Sequence, residues 1–328
     1  MPKVACLLYG FLTLVMMQPV HAAKRLGPPI EDLQSEPERI RIVIAQAADK
    51  IEPTQVLFSV SERLSGEAPA EVLLRIDEQS FAKVVTGQSY VVAWSYMRRN
   101  RRVIGGWETD PEGPFIVQLL GLGSTALFED TPDTRFMFSR GAMDVSGNKS
   151  QQIDALLAQM QRQDLHSRSL VILELYLRPD LIEVMQAVQV EVLKSVLQKQ
   201  ELDPQHRDFV YRSALQLPED MTTPWLAEEF RKTIILHGSQ YDLGSFVPGL
   251  VRTAARGLQQ TGETSDIELL NMLLYSNNPG VSEAALDAMD HIDTASAVAK
   301  AELAIKRGWI HSETRFNLQR YISRAKPD

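Results

Sequence analysis

The chain has 328 residues, 34 basic against 42 acidic, a formal charge of −8 and a single cysteine. An acidic balance opposes general nucleic-acid binding, which depends on neutralising phosphates. One cysteine excludes an internal disulfide framework, thiolate zinc sites and iron–sulfur clusters, so burial must hold the fold, and the chain is long enough for a sizeable core.

Residues 1–22 have the layout of a secretory signal peptide. Lys3 gives a positive start, Val4 to Met17 form an apolar run, and Val20-His21-Ala22 fits a small-residue cleavage site, with the cut expected after Ala22. The run is too short for a membrane anchor, which needs roughly twenty residues. Cleavage would remove Cys6 and Lys3, leaving a thiol-free chain whose 33 basic and 42 acidic residues give −9. The expected location is the periplasm or the outside, with no integral membrane segment after removal.

Residues 23–38, with Gly27-Pro28-Pro29 and Glu36-Pro37-Glu38, lack periodicity and read as a flexible lead-in. From Ile40 the period becomes two. Ile40, Ile42 and Ile44 share a side, and Val56, Phe58 and Val60 alternate with Ser59, Ser61 and Arg63. After the turn at Ser65-Gly66-Glu67-Ala68-Pro69, Ala70, Val72, Leu74 and Ile76 complete a hairpin, and Tyr90, Val92, Trp94 and Tyr96 mark another strand. Further apolar runs at Val103 to Trp107, Phe115 to Leu120 and Arg135 to Phe138 bring the total to six or seven strands, a small antiparallel barrel or sandwich over 39–142.

Leu64-Ser65-Gly66, Pro69, Val72, Gly87, Tyr90 and Val92 resemble the netrin or tissue-inhibitor type of OB-like barrel. The resemblance covers about forty residues and implies a barrel over a sandwich. Members of that family commonly rely on disulfides, which this chain cannot form, and no inhibitory residue is carried over.

Residues 143–150 turn to Gly, Ser, Asn and Lys and read as a linker. Beyond them, over 151–326, about ten helices are expected. Their start signals are Asp180 before Glu183, Asp203-Pro204, Thr223-Pro224, a Ser265/Glu268 capping box and Asn278-Pro279. Val281, Ala284, Ala285, Ala288, Met289 and Ile292 fall on one helix face. That segment, and Leu165 to Leu177 with Arg168, Leu170 and Leu173, resemble HEAT repeat units, which implies an α-solenoid offering helix faces and loops to other macromolecules. An irregular all-α domain remains the alternative. The fold class is therefore α+β in two domains, an OB/netrin-like barrel followed by a HEAT-like helical array.

Arg98, Arg99, Arg101 and Arg102, beside Trp94, Tyr96 and Trp107, read as a hairpin tip able to hold carboxylate or phosphate groups in forked geometry. They could equally be a charged, aggregation-resistant loop. Other signals are weaker. Glu108, Asp110 and Glu112 before Gly113 resemble the start of a calcium loop, but Leu119 stands where its bidentate acid belongs. Asp287, Asp290, His291 and Asp293 cluster on a helix end, although Asp293 is more simply the cap of the next helix. Ser80-Phe81-Ala82-Lys83 lacks companion penicillin-binding motifs, and Gly121-Leu122-Gly123 lacks the third glycine of a dinucleotide loop. No catalytic, cofactor or metal residue is assigned. The function expected is an exported, non-catalytic binding or scaffold protein. Its helical array would dock protein and its arginine hairpin would contact an anionic envelope component. The alternative is a hydrolase acting on an envelope polymer, with its site between the two domains.

Overall fold

The structure is a computed structural model that describes residues 27–96, 100–103, 106–109, 113–119, 125–144, 146–162, 165–199 and 202–325. The expected signal peptide lies outside the described residues. The architecture is a closed five-stranded barrel followed by a helical array, the α+β layout read from periodicity.

The barrel is built from β1 (Ile40–Ile51), β2 (Gln55–Ser65), β3 (Glu71–Arg75), β4 (Ser89–Ser95) and β7 (Phe115–Ile116). Neighbours run β1-β2-β3-β7-β4 and close through β4–β1, all antiparallel except β3–β7. A short strand β8 (Leu127–Glu129) extends the β7 side of β4, and a separate hairpin, β5 (Asn100–Val103) with β6 (Gly106–Thr109), is inserted between β4 and β7. Following hydrogen-bonded partners from Ile40 through Ser95, Phe115, Arg75 and Gln55 returns to β1 at Ile51, its far end. Strands with that stagger tilt steeply around the barrel axis, leaving an interior that side chains fill. This strand order is OB-like.

Alternation decides what goes inside. Val43, Ala45, Ala47, Val56, Phe58, Val72, Leu74, Tyr90, Val92 and Trp94 form the barrel core, and Phe81 and Val84, on and just after a short helix α2 (Glu78–Lys83), plug one end. The opposite parity on β1 and β4 is also buried. Ile42, Ile44, Val91 and Ala93, with Val117 and Phe128, belong to the second core, which runs without a break into the helices. Burial on both faces explains why the Ile40–Ala47 stretch is apolar almost throughout.

Two elements differ from the expectation. Arg135 to Phe138 is no strand but part of α3 (Pro132–Phe138), because Thr131 accepts the Thr134 N–H and Pro132 takes the first helical position. Within the supposed lead-in, α1 (Pro29–Gln34) is helical and fully buries Ile30. It packs on β1, α3 and a helix of the array, α5 (Leu165–Leu177).

The array continues as α4 (Lys149–Met160), α5, a short α6 (Pro179–Ile182), α7 (Ala187–Lys199), α8 (Pro204–Ala214), α9 (Glu219–His237), α10 (Val247–Thr261), α11 (Ile267–Leu273), α12 (Pro279–Ile292), α13 (Thr294–Arg307) and α14 (Ser312–Ala325). Helices α4/α5, α7/α8, α9/α10, α11/α12 and α13/α14 pair in sequence. Successive pairs stack in two rows, α4-α7-α9-α11-α13 and α5-α8-α10-α12-α14. Gly257 on α10 lets the first row meet the second closely: a Cβ there would lie 2.0 Å from the Phe230 ring of α9.

Asp203, Asn278 and Asp293 cap α8, α12 and α13 as expected, and Val281, Ala284, Ala285, Ala288 and Met289 are buried on one face of α12. Three start signals shift. Asp180 pairs with Arg178 instead of capping, and the capping box is Glu263/Asp266, one turn of 3-10 helix ahead of α11. Helix α9 begins at Glu219, five residues before Pro224.

Candidate functional site: the barrel mouth and its uncovered face

The helices cover β1, β4 and the β7–β8 side of the barrel, whereas Ser61, Arg63, Glu71 and Leu73, which point outward from β2 and β3, are exposed. This uncovered face meets the barrel mouth where β1 begins and β4 ends. Arg41 has the inward parity of Val43 and sits opposite Trp94 in the β1–β4 register. Its Nε donates to the Glu67 carbonyl at 2.8 Å, which aims the guanidinium over two rings, 5.2 Å from the Trp94 centroid and 5.0 Å from that of Tyr96. The two rings meet edge-on at 5.0 Å and 77°. A cation held against indole and phenol faces is attracted by their quadrupoles. Nη1 of Arg41 donates to the Arg39 carbonyl at 3.5 Å, so Nη2 alone of its nitrogens has no hydrogen-bond partner among the described residues.

The sequence-predicted residues divide at this point. Trp94 is 0 % exposed and is a wall of the barrel core, while Tyr96, 56 % exposed, presents its ring to solvent. A cleft of about 410 Å³ opens beside Tyr96, lined also by Gln55, Glu71, Leu73, Arg75 and Pro114. The Nε of Arg75 is buried with no hydrogen-bond partner among the described residues. Arg98 and Arg99 lie outside the described residues. Arg101 and Arg102 are in β5, opposite Glu108 and Trp107, so they belong to a strand and not to a hairpin tip. Residues 97–99, between Tyr96 and the Asn100 to Thr109 hairpin, lie outside the described residues.

A second cleft, about 630 Å³, lies where the barrel meets the helices and is lined by Glu31 and Gln34 of α1, Arg63 to Gly66 at the end of β2, and Arg140 to Asp144 after α3. Among the described residues no histidine lines it. Behind it, Glu174 of α5 is buried, accepts the Ile30 N–H at 2.9 Å, and stands 3.9 Å from Arg178. Burial pushes its carboxyl up to about 7, against the opposing pull of the Ile30 N–H and Arg178. Arg178 is held by Asp180 and donates to the Met143 carbonyl at 2.9 Å. A third cleft, about 670 Å³, lies in the array between α7 and α10 and is lined by Leu197, Arg207, Glu229, Lys232, Leu236 and His237. Burial and the nearby Arg207 hold His237 below its ordinary value.

Elsewhere the acidic signals have structural partners. Asp293 accepts from Ala295 N–H and Ser296 Oγ, and Asp290 accepts the Tyr321 hydroxyl at 2.6 Å. Ser80 shares a 2.7 Å hydrogen bond with Thr125 in the barrel plug. Asp110 and Glu112 fall outside the described residues. Among the described residues no three His, Cys, Asp or Glu side chains converge on a metal-sized site, and no helix is long and apolar enough to cross a membrane.

Arg41 and Arg75 escaped the sequence reading. The available signal was parity: Arg41 interrupts the inward row at the first turn of β1, where only a barrel mouth would admit a charge. No protein-family model matches the chain, and comparison with curated proteins finds no significant match.

Proposed function

We propose that this chain is an exported, non-catalytic binding protein that holds an acidic protein of the cell envelope or extracellular space against its barrel. The observation that carries the reading is the Arg41–Trp94–Tyr96 stack at the barrel mouth, where Tyr96 also lines an open cleft with exposed residues of β3. Arg98, Arg99, Arg101 and Arg102 follow Tyr96 closely in sequence, the last two on β5 of the inserted hairpin. Barrels of the OB type bind oligonucleotides and oligosaccharides across their second and third strands and the loops after the first and fourth, which supports the face and not the class of partner. Against a chain of net charge −8, a local cationic rim favours an acidic partner and steers its approach.

The helical half supports a docking role of its own. Its two-row stacking is the arrangement expected of HEAT-like repeats. Ile235 and Leu236 in the last turn of α9, and Leu243 and Phe246 in its connection to α10, are more than half exposed, as protein-docking surfaces often are. Export rests on the tripartite leader at residues 1–22. A hydrolase with its site between the halves stays the second reading, since the junction cleft holds two carboxylates, Glu31 and Asp144, beside Arg63 and Arg140.

The test is capture from an envelope extract by the processed chain. Wild type should retain an acidic protein that is lost when Arg98, Arg99, Arg101 and Arg102 are changed to Glu and when Tyr96→Ala is made. Unchanged capture by both variants would remove the barrel rim from the function.

A further inference from the structure

The junction cleft carries charges of both signs in equal number. Two cations, Arg63 and Arg140, and two carboxylates, Glu31 and Asp144, line it together. All four residues are exposed, and none of their side chains is in a hydrogen bond or ion pair with any described residue, so their charged groups are open to a ligand. They come from segments fixed independently. Arg63 is on β2, registered against Val43 of β1. Glu31 is on α1, which is pinned by the Ile30–Glu174 hydrogen bond and by Gln34, whose amide donates to the Met137 and Ser139 carbonyls. Arg140 and Asp144 sit on the turn after α3, which Arg178 holds through the Met143 carbonyl.

The floor is apolar where Leu64, Met143 and Pro37 line it. Gly66 keeps it open: its φ is +75°, and a Cβ would come within 2.6 Å of the Pro37 carbonyl oxygen. A volume of about 630 Å³ is in the range of small-molecule sites.

We infer that this cleft binds a zwitterion of the amino-acid class, with Arg63 and Arg140 taking its carboxylate and Glu31 and Asp144 its ammonium group. Guanidinium groups recognise carboxylates in forked geometry, and an ammonium group offers three donors to flanking carboxylates. A simple anion would leave two carboxylates facing it, and a simple cation two arginines, so only a ligand of both signs uses all four. The zwitterion can be a free amino acid or a short peptide with both termini unblocked. The inference does not depend on the barrel rim binding anything.

The full processed chain is titrated with triglycine, with N-acetyl-triglycine, with triglycine amide and with an equimolar mixture of the natural amino acids, and followed by backbone amide NMR. Shifts at residues 63–66 and 140–144 on adding triglycine identify the peptide source; shifts with the amino-acid mixture alone identify the free amino acid. For a peptide ligand, either blocked form should bind at least about tenfold more weakly. Arg63→Ala with Arg140→Ala should abolish the response, and Glu31→Gln with Asp144→Asn should weaken it. The four side chains make no hydrogen bond or ion pair among the described residues, and the substitutions leave the backbone bonds of Asp144 in place, so both variants should keep the wild-type amide spectrum away from the cleft and the Glu174–Arg178 pair. No response to triglycine or the mixture at about 10 mM overturns the inference. Equal binding of blocked and unblocked peptide, or an undiminished response in both variants, does so too.

Discussion

Replacing Glu174 by Gln should remove a distinct pH dependence from the stability of the protein. Glu174 is fully buried on α5, where one carboxylate oxygen accepts the Ile30 N–H and the other has no hydrogen-bond partner among the described residues. Burial raises its pKa from 4.5 to about 7, and Glu31 and Asp32 on α1 add to the rise, while Arg178 and the Ile30 N–H oppose it. A carboxyl whose folded pKa lies above its unfolded value favours the native state when protonated. Its contribution is fully present below pH 4.5 and is lost as pH rises through 7. The displacement corresponds to roughly 3 kcal/mol between those limits. Glutamine keeps an acceptor for Ile30 and cannot ionise. Urea unfolding of both proteins at pH 5, 6, 7 and 8 isolates the effect, since every other titrating group is shared. The wild-type stability should fall relative to the variant by about 2–3 kcal/mol from pH 5 to pH 8. Curves that stay parallel would refute the reasoning and place the Glu174 carboxyl in water.

Other substitutions test separate parts of the fold. Gly66→Ala forces a side chain into positive φ against the Pro37 carbonyl and should cost about 1–3 kcal/mol in urea unfolding. Gly257→Ala should destabilise by about 1–3 kcal/mol despite the better helix propensity of alanine, because its methyl meets the Phe230 ring; a gain would mean that α9 and α10 are further apart. Trp94→Ala should cost about 3–5 kcal/mol, and Tyr96→Ala should stay within about 1 kcal/mol while losing the captured partner. Equal destabilisation by the two would contradict the division between wall and rim.

The interior of the barrel was legible because alternation is a direct consequence of the pleat: Val56 and Phe58, and Tyr90, Val92 and Trp94, face inward as their period demands. Strand β1 was harder. Helices bury its outer residues Ile42 and Ile44 while Val43 and Ala45 point into the barrel, so alternation alone cannot name the inner face. Helix α1 offers only Ile30 and Leu33 as buried apolar residues, too few for a period, although Pro29 at the first position and Glu31 and Asp32 in the first turn are start signals. Arg135 to Phe138 fits either period because it holds only three apolar residues, and the Thr131 cap that decides it lies outside the stretch. The helical caps at Asp203, Asn278 and Asp293 were visible since capping is local chemistry. The candidate sites were only half visible. Tyr96 and the arginine hairpin are contiguous in sequence, but Arg41 reaches Tyr96 through strand pairing. Glu31, Arg63, Arg140 and Asp144 meet only after the barrel closes and α1 docks.

The most direct test of barrel-rim binding is calorimetric titration of the processed chain with poly-L-glutamate across a salt series. Binding should be detectable at low salt, weaken steadily as salt screens the guanidinium groups, and vanish when Arg98, Arg99, Arg101 and Arg102 are reversed to Glu. Binding that is indifferent to salt and survives the reversal, or its absence from wild type at low salt, would contradict an anion-binding barrel rim.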